Sequence, residues 1–386
     1  MKADVLVIGG GSAGLAAAVT AARAGARTVL VERNGFCGGM GTASLVHTFC
    51  GLYFSDRDAA EYANPGIAEE IGRAMQEITG QPPVRMGRVW VLPQHPVEFA
   101  ALADVMLRDA GVEVLFHGEL VALEPGWKAR ISCRGAIFEI DANAVVDASG
   151  DAVAAAALGA AHELTEAAHL QRPAYICGIQ GVSVPVAGLE WAGRLVEGIR
   201  AGELEKSALG MHFRASGRAG EIFATMDLAA LETGEYDPIG PRCLAALEVT
   251  GRRVSQSVVR YLRECAPGWE AAYVSQWPVR AGVRESRRWI GEVVLTGEEV
   301  MAGRRRADEV ALASWPLELR ETNRGPKLRY PEGPAGIPRG ALIAKGREGL
   351  FVAGRCISCD HEAQASVRVM GTCFATGEAA GRMAAG

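Results

Sequence analysis

Three apolar runs in this chain end in turns of small residues, and their spacing sets the expected architecture. ADVLVIGGG (Ala3–Gly11) reads as a buried strand entering a glycine turn. SAGLAAAVTAARAG (Ser12–Gly25) follows as a helix with small residues on its packing face, stopped by Gly25. RTVLVER (Arg27–Arg33) is a second buried strand. Together they make a βαβ unit of about 30 residues, the connection that parallel strands require. A second α/β block spans about Pro96 to Asp151. In it PVEFAALADVMLRDAG is helical, VEVLFHGELVALEP is one or two strands, ARISCRG and AIFEIDA form a hairpin, and AVVDASGD is a buried strand ending in a turn. The third run, EGLFVAG (Glu348–Gly354), precedes QASVRVMGTCFATGEAAGRMAA (Gln364–Ala385), which reads as a C-terminal helix.

Between Glu163 and about Pro334 the periodicity weakens. Helices are expected to be shorter there, and NRGPKLRYPEGPAGIP (Asn323–Pro338) reads as a loop. The chain thus begins and ends with strand–glycine–helix units, so one lobe is built from both ends and the middle is inserted. The fold class is α/β, with a Rossmann-like lobe from residues 1–50, 90–162 and 335–386. An α+β substrate or cap lobe comes from 51–89 and 163–334.

Length and composition are ordinary for a globular protein: 386 residues, 49% apolar and 22% charged. The net charge of −5 gives no general attraction to nucleic acid or acidic membranes, so neither is expected as a partner. Nine cysteines, scattered apart from one CxxC, suggest reduced thiols and a cytoplasmic location. The apolar start is explained by the glycine turn rather than by targeting, and Ala152–Ala161 is too short to span a bilayer. The 35 arginines against 5 lysines read mainly as a coding bias, or in part as holders of an anionic substrate.

The first glycine turn carries chemistry. Gly9, Gly11 and Gly14 form GxGxxG between strand and helix, where a pyrophosphate can approach the backbone and the helix N-terminus. Glu32 ends the second strand, placed to accept from a ribose 2′-OH and to disfavour a 2′-phosphate. This predicts a dinucleotide and leaves FAD and NAD open. Three later features favour the longer cofactor: CGGMGT (Cys37–Thr42), VVDASGDA (Val145–Ala152) and GLFVAGR (Gly349–Arg355).

The set GGGSAG, Glu32, GGMGT, DASGDA, RESRRWIG (Arg284–Gly291) and GLFVAGRCIS…RVMGTCFATGEAAG resembles the FAD-dependent oxidoreductases of the glutathione-reductase-like flavoprotein superfamily, in their single-flavin branch. The resemblance implies that Gly9, Gly11, Ser12, Ala13 and Gly14 hold the pyrophosphate, with Glu32 and Arg33 at the adenosine ribose. It implies Gly39, Met40, Gly41 and Thr42 along the pyrophosphate and flavin, Val121 at the adenine, and Ala148 and Gly150 on the adenosine side. Gly354 and Arg355 fall at the ribityl chain, and Gly371 and Thr372 near the flavin.

A flavin brings its own reactivity, and the protein supplies placement and charge. His47 and His361 are candidate general bases, and each also reads as a hydrogen-bonded structural histidine. Taken as helix, RESRR puts Arg284 and Arg288 on one face, as a carboxylate clamp or as partners of Glu285 or Glu292. In CISCDHEAQ (Cys356–Gln364), zinc lacks four ligands, and no other metal site is expected. Cys356 and Cys359 read as pocket wall, or as a redox pair. The expected function is hydride transfer between a small, possibly anionic organic substrate and FAD. The alternatives are a thiol–disulfide flavoprotein or a non-catalytic electron-transfer subunit. Oligomeric state is open.

Overall fold

The computed structural model describes residues 1–186, 190–228, 236–321 and 325–386. Strands β1 (Lys2–Ile8) and β2 (Thr28–Glu32) flank the helix α1 (Ser12–Arg23), as the apolar runs predict. Strands β3 (Thr48–Cys50), β4 (Val84–Met86) and β5 (Val89–Pro93) pair antiparallel in a small sheet, with β5 in the middle. Helix α2 (Ile67–Thr79) lies between the first two of these, and helix α3 (Pro96–Ala110) follows the third. The main sheet continues with β6 (Glu113–Phe116), β7 (Glu119–Glu124), β8 (Lys128–Cys133) and β9 (Ala136–Asp147).

Its strand order is β6-β2-β1-β9-β8-β7, and Leu350–Val352 adds a parallel strand along the end of β9. Strands β6, β2, β1, β9 and Leu350–Val352 run parallel, while β7, β8 and β9 form an antiparallel meander. Both chain ends therefore enter one sheet. The loops after β1, β2, β9 and Val352 all leave its carboxyl edge, where open α/β sheets bind ligands. Helix α1 packs on the C-terminal helix Met370–Ala385 almost backbone to backbone. A Cβ on Gly377 or Gly381 would lie 2.1 or 2.3 Å from the carbonyl oxygens of Ala13 and Ala17.

A second sheet, all antiparallel, has the order His212–Ala215, Glu221–Asp227, Ala174–Gln180, Tyr273–Gln276. It packs with the helix Pro241–Cys265 around its own core, which draws on Tyr175, Phe213, Val254, Val258 and Trp269. The main core takes residues from 3–155 and again from 289–380. Segment 51–89, expected in the inserted lobe, contributes α2, which packs on α1, α3 and the C-terminal helix.

Four local expectations need correction. The 25-residue helix Pro241–Cys265 lies where only short helices were expected. Its apolar stripe (Leu247, Gly251, Val254, Val258, Leu262) is diluted by the polar residues of a half-exposed helix. The predicted loop 323–338 contains strands Lys327–Arg329 and Ala335–Pro338, while its residues 323 and 324 lie outside the described residues. RESRR is not helical: Arg284–Arg287 is irregular and Arg288 opens a two-residue strand. The single C-terminal helix is two. His361–Val367 starts where Asp360 accepts from the Ala363 N–H at 2.7 Å, and Val369 is extended (φ −72, ψ 151) before the second helix begins at Met370.

Candidate functional site

The fingerprint loop forms from steric necessity. Gly9 has φ +93, a conformation other residues resist, and a Cβ on Gly14 would lie 1.7 Å from the Gly9 carbonyl oxygen. By contrast, a Cβ on Gly11 would meet only the Cα of Gly39, at 3.8 Å, so the loop presents open backbone there. No side chain caps α1, which leaves the N–H groups of its first turn unpaired by the helix itself. Glu32 ties the neighbouring turns together: its carboxylate accepts from the Gly10 N–H at 2.7 Å and the Asn34 N–H at 2.8 Å. Ala148 and Ser149 press on Gly9 from the end of β9. Val121 is half exposed, at a β-bulge where the β7–β8 register shifts. Arg33 lies 3.6 Å from Asp151, which also binds Arg355 at 2.6 Å.

The break before Met370 creates a second uncapped N-terminus, on the C-terminal helix. There Thr372 Oγ1 is buried without a hydrogen-bond partner. Such an orphan in a first turn suits a bound acceptor. The two open N-termini, the glycine cradle and the buried carboxylate of Glu32 at the end of β2 fit a dinucleotide of FAD type.

Beside this second N-terminus opens a cavity of about 460 Å3, within the range of small-molecule sites. It is walled by the second sheet, the β3–β5 sheet, Gly282–Arg284, the segment Trp315–Arg320 and, from the next described segment, Pro326, Leu328 and Tyr330, and it reaches Met40, Arg355, Val369 and Met370. Its apolar side is Val89, Val91, Trp315 and Val369, packed together.

Of the catalytic candidates, His47 and Arg284 line this cavity, and Arg288 and His361 do not. His47 is buried and stacks on Phe223 at 4.8 Å. Its Nδ1–H donates to Leu45 O at 3.2 Å, which leaves Nε2 as an acceptor. Burial, then the charge of Arg214, pushes its pKa down to about 3, so the ring is neutral at physiological pH and a weak base. His212, which the sequence did not single out, also lines the cavity; although its residue is exposed at the cavity mouth, the crowding of protein atoms around the ring, then the charge of Arg214, lowers its pKa to about 4. Arg284 donates to Asp227 at 2.7 Å and to Arg172 O. Arg288 turns the other way, to Glu285 at 2.7 Å and Cys359 O at 2.9 Å. The two arginines therefore form no clamp: outside a helix, side chains four apart need not share a face.

His361 is held by carboxylates on both ring nitrogens, Glu285 at 2.9 Å and Glu321 at 3.0 Å. Burial alone would lower its pKa, but these two hydrogen-bonded charges outweigh it and raise the pKa. Its folded pKa thus exceeds the unfolded value of about 6.5, and the protonated ring stabilises the fold. That contribution is complete below the unfolded value and disappears as pH rises through the folded one. The melting-temperature difference between wild type and His361→Gln should shrink from pH 6 to pH 9, as thermal melts across that range will test; a constant difference would contradict it.

Cys356 and Cys359 are buried free thiols. Burial pushes Cys359 up to about 12 and Cys356 well above its usual value, so neither offers the thiolate that disulfide exchange needs. Among the described residues no His/Cys/Asp/Glu cluster suits a metal, and no helix is long and apolar enough to cross a membrane.

The sequence reading also missed Arg214, Arg320 and Arg368. They come from a strand of the second sheet, a loop and a helix break, and all line the cavity with Glu318. Arg368 had one local signal, its place just before the final glycine-rich helix.

A family model described as FAD dependent oxidoreductase matches residues 4–386. No curated protein matches the chain. Among solved structures it is similar to a geranylgeranyl bacteriochlorophyll reductase-like protein from Thermoplasma acidophilum, with 14% identity and TM-score 0.48, covering 100% of this chain and 77% of that one. It is similar to the anhydrotetracycline hydroxylase OxyS from Streptomyces rimosus, with 15% identity and TM-score 0.43, covering 75% of this chain and 54% of that one. The p-nitrophenol 4-monooxygenase PnpA from Pseudomonas putida is similar at 10% identity and TM-score 0.43, covering 75% and 70%.

Proposed function

The chain belongs to the FAD dependent oxidoreductase family, and we propose that its cavity holds a small organic substrate for hydride exchange with FAD. When bound, FAD supplies the hydride acceptor or donor at its N5 position. The observation that carries this reading is the meeting of the cavity with the uncapped N-terminus at Met370 and the Gly39–Gly41 turn. A helix N-terminus stabilises negative charge on a neighbouring ring through its free N–H groups.

In this reading Gly9, Gly11, Ser12, Ala13 and Gly14 bind the pyrophosphate, Glu32 and Arg33 the adenosine ribose, and Gly39 to Thr42 the length between pyrophosphate and ring. The Val121 bulge meets the adenine, Ala148 and Gly150 close the adenosine side, and Gly354, Arg355, Gly371 and Thr372 bind toward the flavin. The resemblance to the single-flavin branch of the glutathione-reductase-like superfamily supports the assignment. Neutral His47 and His212 offer hydrogen-bond acceptors to a substrate hydroxyl or amine.

The purified protein is expected to be yellow and to release near-stoichiometric FAD on heat denaturation. A colourless protein that takes up no FAD on reconstitution would remove this reading.

A further inference from the structure

Among the described residues five guanidinium groups line the cavity: Arg214, Arg284, Arg320, Arg355 and Arg368. Three are matched inside the protein. Arg355 pairs with Asp151 at 2.6 Å, Arg284 with Asp227 at 2.7 Å, and Arg320 with Asp227 at 2.5 Å and Glu318 at 2.6 Å. The other two have no carboxylate within ion-pair distance among the described residues. The side chain of Arg214 donates only to the Met86 sulfur, at 3.2 Å. Arg368 donates to Gln171 Oε1 at 3.1 Å and Glu318 O at 3.2 Å, and its Nε–H is buried with no partner. Burial lowers the pKa of both, Arg368 to about 10, yet both stay charged at neutral pH.

Two partly buried, charged and unmatched guanidiniums on one cavity are costly in the empty protein, because buried charge is normally paired. A ligand anion removes that cost. Next to them stands the apolar side of the same cavity, Val89, Val91 and Trp315. Among the described residues the cavity lining contains no lysine, and glycine only at Gly282, so no glycine nest typical of phosphate sites is seen there. A carboxylate offers two oxygens to such donors and leaves the rest of the molecule to apolar contact.

We propose that the substrate is an organic carboxylic acid of ring size, bound as its carboxylate by Arg214 and Arg368 with its apolar body against Val89, Val91 and Trp315. This rests on the reading of the cavity as the substrate site, and it replaces the pair Arg284 and Arg288 as the anion holders. Arg284 is already neutralised by Asp227, and Arg288 does not reach the cavity.

Calorimetric titration of the holoprotein with benzoate and with its neutral isostere benzamide tests the proposal. Benzoate should bind saturably and about tenfold or more tighter than benzamide, the discrimination expected of charge-assisted hydrogen bonds. Arg214→Gln and Arg368→Gln should each weaken benzoate about tenfold or more and narrow the benzoate–benzamide difference, because benzamide loses only neutral hydrogen bonds. Equal affinity for the two ligands, no benzoate binding, or wild-type benzoate affinity in both variants overturns it. Phenyl phosphate binding more tightly than benzoate overturns it too, in favour of a phosphate ester. If a variant fails to fold, the benzoate–benzamide contrast in the wild type decides. The FAD released by the same preparation is measured separately. A protein without FAD but with the carboxylate preference sinks the oxidoreductase reading of the cavity and leaves the cation pair standing.

Discussion

Gly14→Val is expected to yield a protein that carries almost no FAD. A Cβ at residue 14 would sit 1.7 Å from the Gly9 carbonyl oxygen and 2.9 Å from the Gly9 carbonyl carbon. Neither atom is the end of a flexible side chain, so the turn itself must move. Gly9 cannot yield easily, because its own φ of +93 is already special and Ser149 and Ala148 crowd it from the end of β9. The displacement separates the first turn of α1 from the strand, and with it the N–H groups that would meet the pyrophosphate. Stability should fall as well, since α1 packs tightly on the C-terminal helix and cannot shift alone. The measurement is FAD released per chain, together with the urea midpoint. Wild-type FAD content in a folded Gly14→Val protein would refute the pyrophosphate assignment.

Glu285→Ala is expected to cost about 3–5 kcal/mol of stability, the scale for removing one partner of a buried ion pair. Glu285 is fully buried. Its carboxylate receives Arg288 at 2.7 Å, His361 at 2.9 Å, the Thr165 hydroxyl at 2.5 Å and the Gln171 N–H at 3.2 Å. Burial alone would raise its pKa, but His361, Thr165 and Arg288 together hold it below the usual glutamate value. Its loss leaves the buried Arg288 without its acid and His361 with only Glu321. Because His361 and Arg288 lie outside the cavity, ligand binding should suffer less than stability. Equilibrium urea unfolding measures the effect, and a midpoint matching wild type would show that the cluster contributes little.

The two predictions draw on different levels of the protein. The Gly14 result is legible in GGGSAG, where a strand, three spaced glycines and a helix occur within one local stretch. The Glu285 result is not. RESRR suggested a helical pair of arginines, whereas Arg284 and Arg288 diverge to Asp227 and Glu285. CISCDHEAQ likewise suggested catalysis by His361, whose ring is taken by Glu285 and Glu321, residues 76 and 40 positions away. Local spacing carries helix faces and tight turns, because those depend on neighbouring φ, ψ and sterics. It carries no information on which carboxylate a long, flexible arginine reaches.

By itself the sequence determined the parallel α/β sheet, its use of both chain ends, the glycine turn on α1 and Glu32 at the end of β2. These follow from apolar periodicity and the steric demands of glycine, which act within a few residues. Only the tertiary structure decided the cavity. Its walls come from separate sheets, a loop and the break before Met370. The imbalance of charge at Arg214 and Arg368 exists only once Asp227, Glu318 and Asp151 have each taken their partners, and that is a property of packing in three dimensions.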